Sequence, residues 1–266
     1  MRAILVSPLG FLIGVSLGAL GGGGSILAVP VLVYAAGQTP KQATASSLIL
    51  VAATSLLGIA PHWKTRRVRL IPGLLFSLAG VAASLLGSTL NERADQNLLL
   101  LAFSVLMLIA AGAMARSLHR HRSQPAPDCE VPDGEPTAVA GDAATVLKVI
   151  LAGCVVGILT GFFGVGGGFV IVPALVLTLG FTMPEAIGTS LLVIVINSIV
   201  ALSSRLDSGN IDWGVIIPFG IASLSGVLVG GRMAGRLEPD KLQRWFIVLL
   251  VAVAAYTAIR SAVALS

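Results

Sequence analysis

At 266 residues the chain is long enough for one large soluble domain, but its composition excludes one. Hydrophobic residues make up 56%, charged residues only 11%, and mean hydropathy is +0.96, so there is too little charge to cover a water-facing surface. The net charge of +5 does not point to nucleic acid, because Lys and Arg flank apolar segments as they do at the cytoplasmic ends of membrane spans.

Apolar segments are expected at 3–20, 26–37, 43–61, 70–90, 97–115, 146–163, 169–180, 186–203, 213–231 and 244–263. Long runs with 5% aromatic content argue for helices and against a barrel of short alternating strands. The first segment follows Arg2 directly and is expected to be an uncleaved element, since only further membrane segments follow. Within it Gly10, Gly14, Gly18 and Gly22 recur every four residues, the pattern of close helix packing.

Next comes Gly21-Gly22-Gly23-Gly24-Ser25, at a depth where a helix should continue. Each glycine weakens a helix by about 1 kcal/mol relative to alanine. Unwound chain is therefore expected there, tolerable in a bilayer only if buried in protein or lining a cavity. The short arm 26–37 carries Pro30, which should kink it or end a run of hydrogen bonds. Segment 43–61 opens with Thr44, Ser46 and Ser47 and continues to Thr54 and Ser55. After 97–115 the stretch 116–145 is basic at its start, rich in Pro and acidic in its middle; it reads as a flexible linker.

The second half repeats the first. A shift of 143 carries Gly10, Gly14, Gly18, Gly21, Gly23 and Gly24 onto Gly153, Gly157, Gly161, Gly164, Gly166 and Gly167. The same shift carries Pro30 onto Pro173, Gly37 onto Gly180, Thr39 onto Thr182 and Ser47 onto Ser190. Farther on, a shift of 146 aligns Ile71-Pro72 with Ile217-Pro218 and Ser77-Leu78 with Ser223-Leu224. The expected organisation is an N-terminal transmembrane repeat at 1–115, the linker at 116–145 and a C-terminal transmembrane repeat at 146–266.

Charge bears on the relative orientation of the halves. If 3–37 is one broken span, each half crosses four times and the better direction places eleven Lys/Arg inside and six outside. If 3–20 and 26–37 form a hairpin, as do 146–163 and 169–180, each half crosses three times and the halves are inverted. Twelve basic residues then lie inside and five outside, and the cluster Arg232, Arg236, Lys241 and Arg244 is no longer stranded on the outside. The short arms are also too brief to span. The expected fold is all-α and polytopic, with two homologous halves in inverted pseudo-twofold relation, each with a Gly-broken first element.

Two such breaks facing one another would place helix N-termini and their free N–H groups around a central gap, an anion site with no charged side chain. The candidate substrate-binding residues are Gly22, Gly23, Gly24, Ser25, Ser47, Gly166, Gly167, Gly168, Ser190 and Asn197. The plainer reading of the glycines is a tight turn, and of the hydroxyls a bond to their own helix. Glu185 is a candidate proton carrier for coupling, although its position equally suits a helix-start carboxylate. Cys129 and Cys154 have no metal-ligand spacing, and no catalytic grouping appears, so neither a metal, a cofactor nor an enzyme is expected.

The segments GALGGGGSILAVPVLVYAAGQTPKQATASSL at 18–48 and GFFGVGGGFVIVPALVLTLGFTMPEAIGTSLLVIVINS at 161–198 resemble the sulfite exporter TauE/SafE family. The resemblance spans nearly the whole chain outside the linker. It implies a multi-pass inner-membrane permease for sulfite, sulfoacetate or other small sulfur-containing or organic anions, with the two glycine tracts, Ser47 and Ser190 in its core. The expected partners are a small anionic substrate and the lipid bilayer, with no nucleic acid; a homo-oligomer is left open. The leading expectation is alternating access, and the competing ones are a passive anion channel and a non-transporting membrane scaffold.

Overall fold

The structure is a computed structural model that describes residues 2–65, 67–91, 96–123, 143–163, 168–203 and 213–265. In chain order the helices are α1 (Arg2–Leu20), α2 (Ser25–Tyr34), α3 (Pro40–Lys64), α4 (Leu70–Asn91) and α5 (Gln96–Ser123). After the linker follow α6 (Ala143–Phe163), α7 (Gly168–Leu179), α8 (Met183–Ser203), α9 (Trp213–Arg236) and α10 (Pro239–Leu265). Residues Gly21–Gly24 join α1 to α2 as a 3-10 turn. The described residues are thus all-α, and α5 continues through the basic stretch 116–123 that the sequence assigned to the linker.

Local chemistry explains the starts and stops. Gly37 and Gly180, at φ +71° and +66°, follow α2 and α7, a backbone conformation that glycine adopts without steric cost. Two residues later Thr39 caps α3 in a box with Gln42, with Pro40 in the first turn. Thr182 and Glu185 repeat one side of that construction at the start of α8, where the Glu185 carboxylate accepts from the Thr182 amide and hydroxyl. Pro30 and Pro173 lie inside α2 and α7 and end neither helix.

Among the described residues seven helices are long and apolar enough to cross a membrane: α3, α4, α5, α6, α8, α9 and α10. α6 therefore exceeds what the hairpin expectation required of it, whereas α7 is too short to span, as anticipated. Exposed Leu, Ile and Val are spread over α4, α5, α6, α9 and α10, the surface a bilayer covers. Trp63, Trp213 and Trp245 are more than half exposed near helix ends, where indole rings sit at the headgroup level.

The long helices pack in a matched pattern. α1 lies parallel to α9, with Gly10 on the Phe219 carbonyl, Gly14 on that of Ser223 and Gly18 on that of Val227. α6 lies parallel to α4, with Gly153 on Phe76, Gly157 on Gly80 and Gly161 on Ser84. Each residue of the second set is its counterpart in the first displaced by 143. Gly230 against Val15 and Gly87 against Ile158 follow the same displacement. The packing thus relates α4 to α9 by 143, three residues away from the 146 at which their sequences agree.

α3 and α8 meet antiparallel across the middle, Gly58 by Leu191 and His62 by Gly188. The second half of α5 meets the first turns of α10, where Gln243 Nε2 donates to the Met114 carbonyl at 2.9 Å. The main core lies between the halves, built from Phe76, Met107, Ile171, Leu191 and Phe246, with Phe103 edge-on to Phe169 at 5.0 Å.

Candidate functional site

The first glycine tract doubles the chain back. α1 ends at Leu20, Gly21 takes φ +67°, and Gly24 comes to rest against Ile13 and Leu17 of α1. α2 therefore turns back against α1 and does not extend it. The tract is also more regular than the expected unwound chain. It forms a 3-10 turn, and both the amide and the hydroxyl of Ser25 donate to the Gly22 carbonyl, the hydroxyl at 2.7 Å. That turn occupies an amide the sequence reading left free for an anion.

The tracts of the two halves meet. Gly22 lies so close to Gly168 that a methyl group on Gly22 would overlap the Gly168 carbonyl. On Gly168 a methyl would approach Ser25 Oγ to 2.7 Å and Ile194 to 3.0 Å. On Gly21 it would approach Ser190 Oγ to 2.7 Å and the Ile187 backbone to 3.3 Å. The structure thus gathers Gly21, Gly22, Ser25, Gly168 and Ser190 from three separate stretches of the chain. Gly23 and Gly24 belong to the same turn, whereas Gly166 and Gly167 lie outside the described residues.

The hydroxyls point inward to their own helices. Ser190 donates to the Ile187 carbonyl and Ser47 to that of Thr44, each at 2.8 Å. These two bonds are again related by 143. Each hydroxyl would have to turn from that carbonyl to donate to an anion, while its lone pairs face the surroundings. Ser47 sits on α3, and its counterpart contact to Ser190–Gly21 falls on Gly164, outside the described residues. Asn197, in mid-α8, has a buried Oδ1 with no hydrogen-bond partner, whereas Thr54 at the matching place in α3 bonds back to Leu50 and Val51. A buried polar atom left unpaired in a packed helix costs stability, and Asn197 shares that state with Gln38, Ser46, Ser55 and His62.

A cavity of about 10 Å³ between α1, α2, α3 and α9 is lined by Gly14, Leu17, Thr54 and Ser223. It has room for one water molecule. An oxyanion entering beside it requires the helices to part.

Glu185 is the third residue of α8, and its carboxylate also takes the Arg69 guanidinium at 2.7 and 3.1 Å. Next to it the Arg69 amide donates to Thr189 Oγ1 at 3.1 Å. The α3–α4 connection is thereby tied to the start of α8. In sequence Arg69 is one of the basic residues Lys64, Arg66, Arg67 and Arg69, and nothing there marks a pairing across 116 residues. His62, near the end of α3, is buried with neither ring nitrogen hydrogen-bonded, beside the α8 turn that carries Ile187 and Ser190.

The profile of the family described as "Sulfite exporter TauE/SafE" matches residues 6–257. A probable membrane transporter protein of Xylella fastidiosa (strain 9a5c) is 34% identical over 260 residues, which cover 95% of this chain and 93% of the relative. The probable membrane transporter protein YunE of Bacillus subtilis (strain 168) is 26% identical over 263 residues, covering 94% and 93%. No solved structure matches the chain.

Proposed function

The chain belongs to the sulfite exporter TauE/SafE family of multi-pass membrane transporters, and we propose that it carries a small anion by alternating access about the meeting of its two glycine tracts. It is a transporter and not an enzyme, and among the described residues no three His, Cys, Asp or Glu stand close enough to hold a metal. The family description suggests sulfite or a chemically related sulfur-containing or organic anion as substrate. The observation that carries the reading is the contact of Gly22 with Gly168, flanked by Ser25 and Ser190. Backbone from both halves and small polar groups converge there with no charged side chain among them, a site that can bind an anion weakly enough to release it.

The two halves act as inverted repeats that rock against each other. Support comes from the α1–α9 and α6–α4 seams, which share one displacement, and from the antiparallel course of α3 and α8. If 3–37 were a single span, the end of α3 and the start of α8 would lie on opposite membrane faces, yet Arg69 and Glu185 are in contact. Glu185 serves here as a tie between the halves. For one charge the membrane potential supplies about 2.3 kcal/mol per 100 mV, enough to drive the cycle without a nucleotide site.

Two measurements test these statements. In vesicles reconstituted with the purified protein, uptake of sulfite should saturate and accelerate when the same anion is loaded on the opposite side. Flux that rises linearly with concentration and shows no counterflow identifies a channel. For topology, single cysteines at position 67 and at position 238 should react with an impermeant maleimide from the same side of the membrane. Labelling from opposite sides would reject the inverted arrangement.

A further inference from the structure

Between the end of α5 and the first turns of α10 lies an open groove of about 400 Å³, well away from the glycine tracts. Its rim is basic, with His119 from α5 and Arg244 from α10, and its floor is apolar, with Ala115, Leu118, Ile247 and Val248. No acidic side chain is among these lining residues. The nearby Glu238 carboxylate is taken up by Lys241 at 3.3 Å.

The groove lies at the polar end of both helices. His119 closes the apolar span of α5, and Arg244 stands in the first turns of the α10 span. Trp245, beside Arg244 in sequence, is 64% exposed, the placement of an indole at the headgroup boundary. A basic rim at that depth above an apolar floor complements one kind of molecule, an anionic phospholipid with its phosphate on the rim and its first acyl carbons on the floor. Basic recesses between transmembrane helices are suited to such headgroups, and the volume falls within the range of ligand-sized clefts, about 300–1,000 Å³. We propose that the α5–α10 groove is a binding site for one anionic glycerophospholipid, held chiefly by Arg244. The site is separate from the transported anion and stands whichever anion that is.

Trp245 reports on the site directly. In a protein carrying Trp63→Phe and Trp213→Phe, both exposed positions, Trp245 is the remaining indole. This protein is placed in phosphatidylcholine vesicles with an increasing mole fraction of either dibrominated phosphatidylglycerol or dibrominated phosphatidylcholine. Phosphatidylglycerol should quench Trp245 at several-fold lower mole fraction. Arg244→Gln should reduce that preference about five-fold, the ratio that corresponds to about 1 kcal/mol per surface basic residue. High salt should weaken the preference in the unaltered protein as well, a result that does not depend on any Arg244 variant folding. Equal quenching by the two lipids, or a preference unchanged by Arg244→Gln and by salt, overturns the proposal. So does poor quenching by both lipids together with chemical cross-linking of two chains through α10, which would put a second copy in the groove.

Discussion

Gly22→Ala should eliminate most transport while leaving inserted, monodisperse protein. The added methyl overlaps the Gly168 carbonyl, and no rotamer change relieves a clash between two backbones. One tract must retreat from the other, at a cost of about 1–3 kcal/mol for an overpacked site. Because about 1.4 kcal/mol is a factor of ten, initial uptake should fall by roughly ten-fold or more if the meeting of the tracts is formed during transport. Gly168→Ala should be milder, since its methyl meets the Ser25 hydroxyl, which can turn, and the Gly22 carbonyl only at 3.0 Å. Gly112→Ala, with nothing within 4 Å of the added methyl, serves as the silent control. Uptake by Gly22→Ala close to that of the control would detach the glycine tracts from transport.

How much of this could be read from sequence depends on which side of each contact carries a mark. Glycines on α1 and α6 are visible because a side chain is missing at every fourth position. Their partners Phe219, Ser223 and Val227, and Phe76, Gly80 and Ser84, contribute backbone carbonyls. Every residue has a carbonyl, so these contacts leave no mark on α4 and α9, whereas Gly87, Gly226 and Gly230 mark the converse contacts with carbonyls of α6 and α1. The sequence similarity of α4 and α9 runs from Ile71-Pro72 and Ile217-Pro218 into Ser77-Leu78 and Ser223-Leu224 at a shift of 146, where packing obeys 143. Each of the seven described helices long enough to cross a membrane falls on an apolar segment expected from sequence, because length and hydrophobicity alone decide what can cross a bilayer.

The hydroxyls were not legible in the same way. Serine in an apolar helix either bonds to its own carbonyl or reaches a neighbour, and composition does not distinguish the two. Ser47 and Ser190 take the first course in this conformation, and so does Thr54. The glycine tract likewise concealed its 3-10 winding, because glycine permits helical and extended backbone alike. Glu185 was the more decidable case. Thr182 stands three residues before it, as Thr39 does before Gln42, so the capping-box pattern was written in both halves. Only the Arg69 partnership required the fold.

The inverted-repeat reading makes a second demand that can be met or failed by stability alone. Gly14→Val and Gly157→Val should each sharply reduce the yield of folded protein, and by similar amounts. Gly14 abuts the Ser223 backbone in the α1–α9 seam, and Gly157 abuts the Gly80 backbone in the α6–α4 seam. In both places a branched side chain has to push an entire helix outward, because the obstructing atoms are carbonyl and Cα of the facing helix. The neighbouring glycines, at 10 and 18 or at 153 and 161, hold the rest of each seam closed, so the displacement cannot stay local. A cost at or above the 1–3 kcal/mol of ordinary overpacking is large against a total stability of about 5–15 kcal/mol. The measurement is the monodisperse fraction left after heating detergent-solubilised protein, with Gly112→Ala as reference. Losing one seam while the other absorbs valine without penalty would mean that the halves do not pack as equivalents, whatever their sequences share. Equal losses would mean that the α1–α9 and α6–α4 seams pack as equivalents, one on each side of the antiparallel pair α3 and α8.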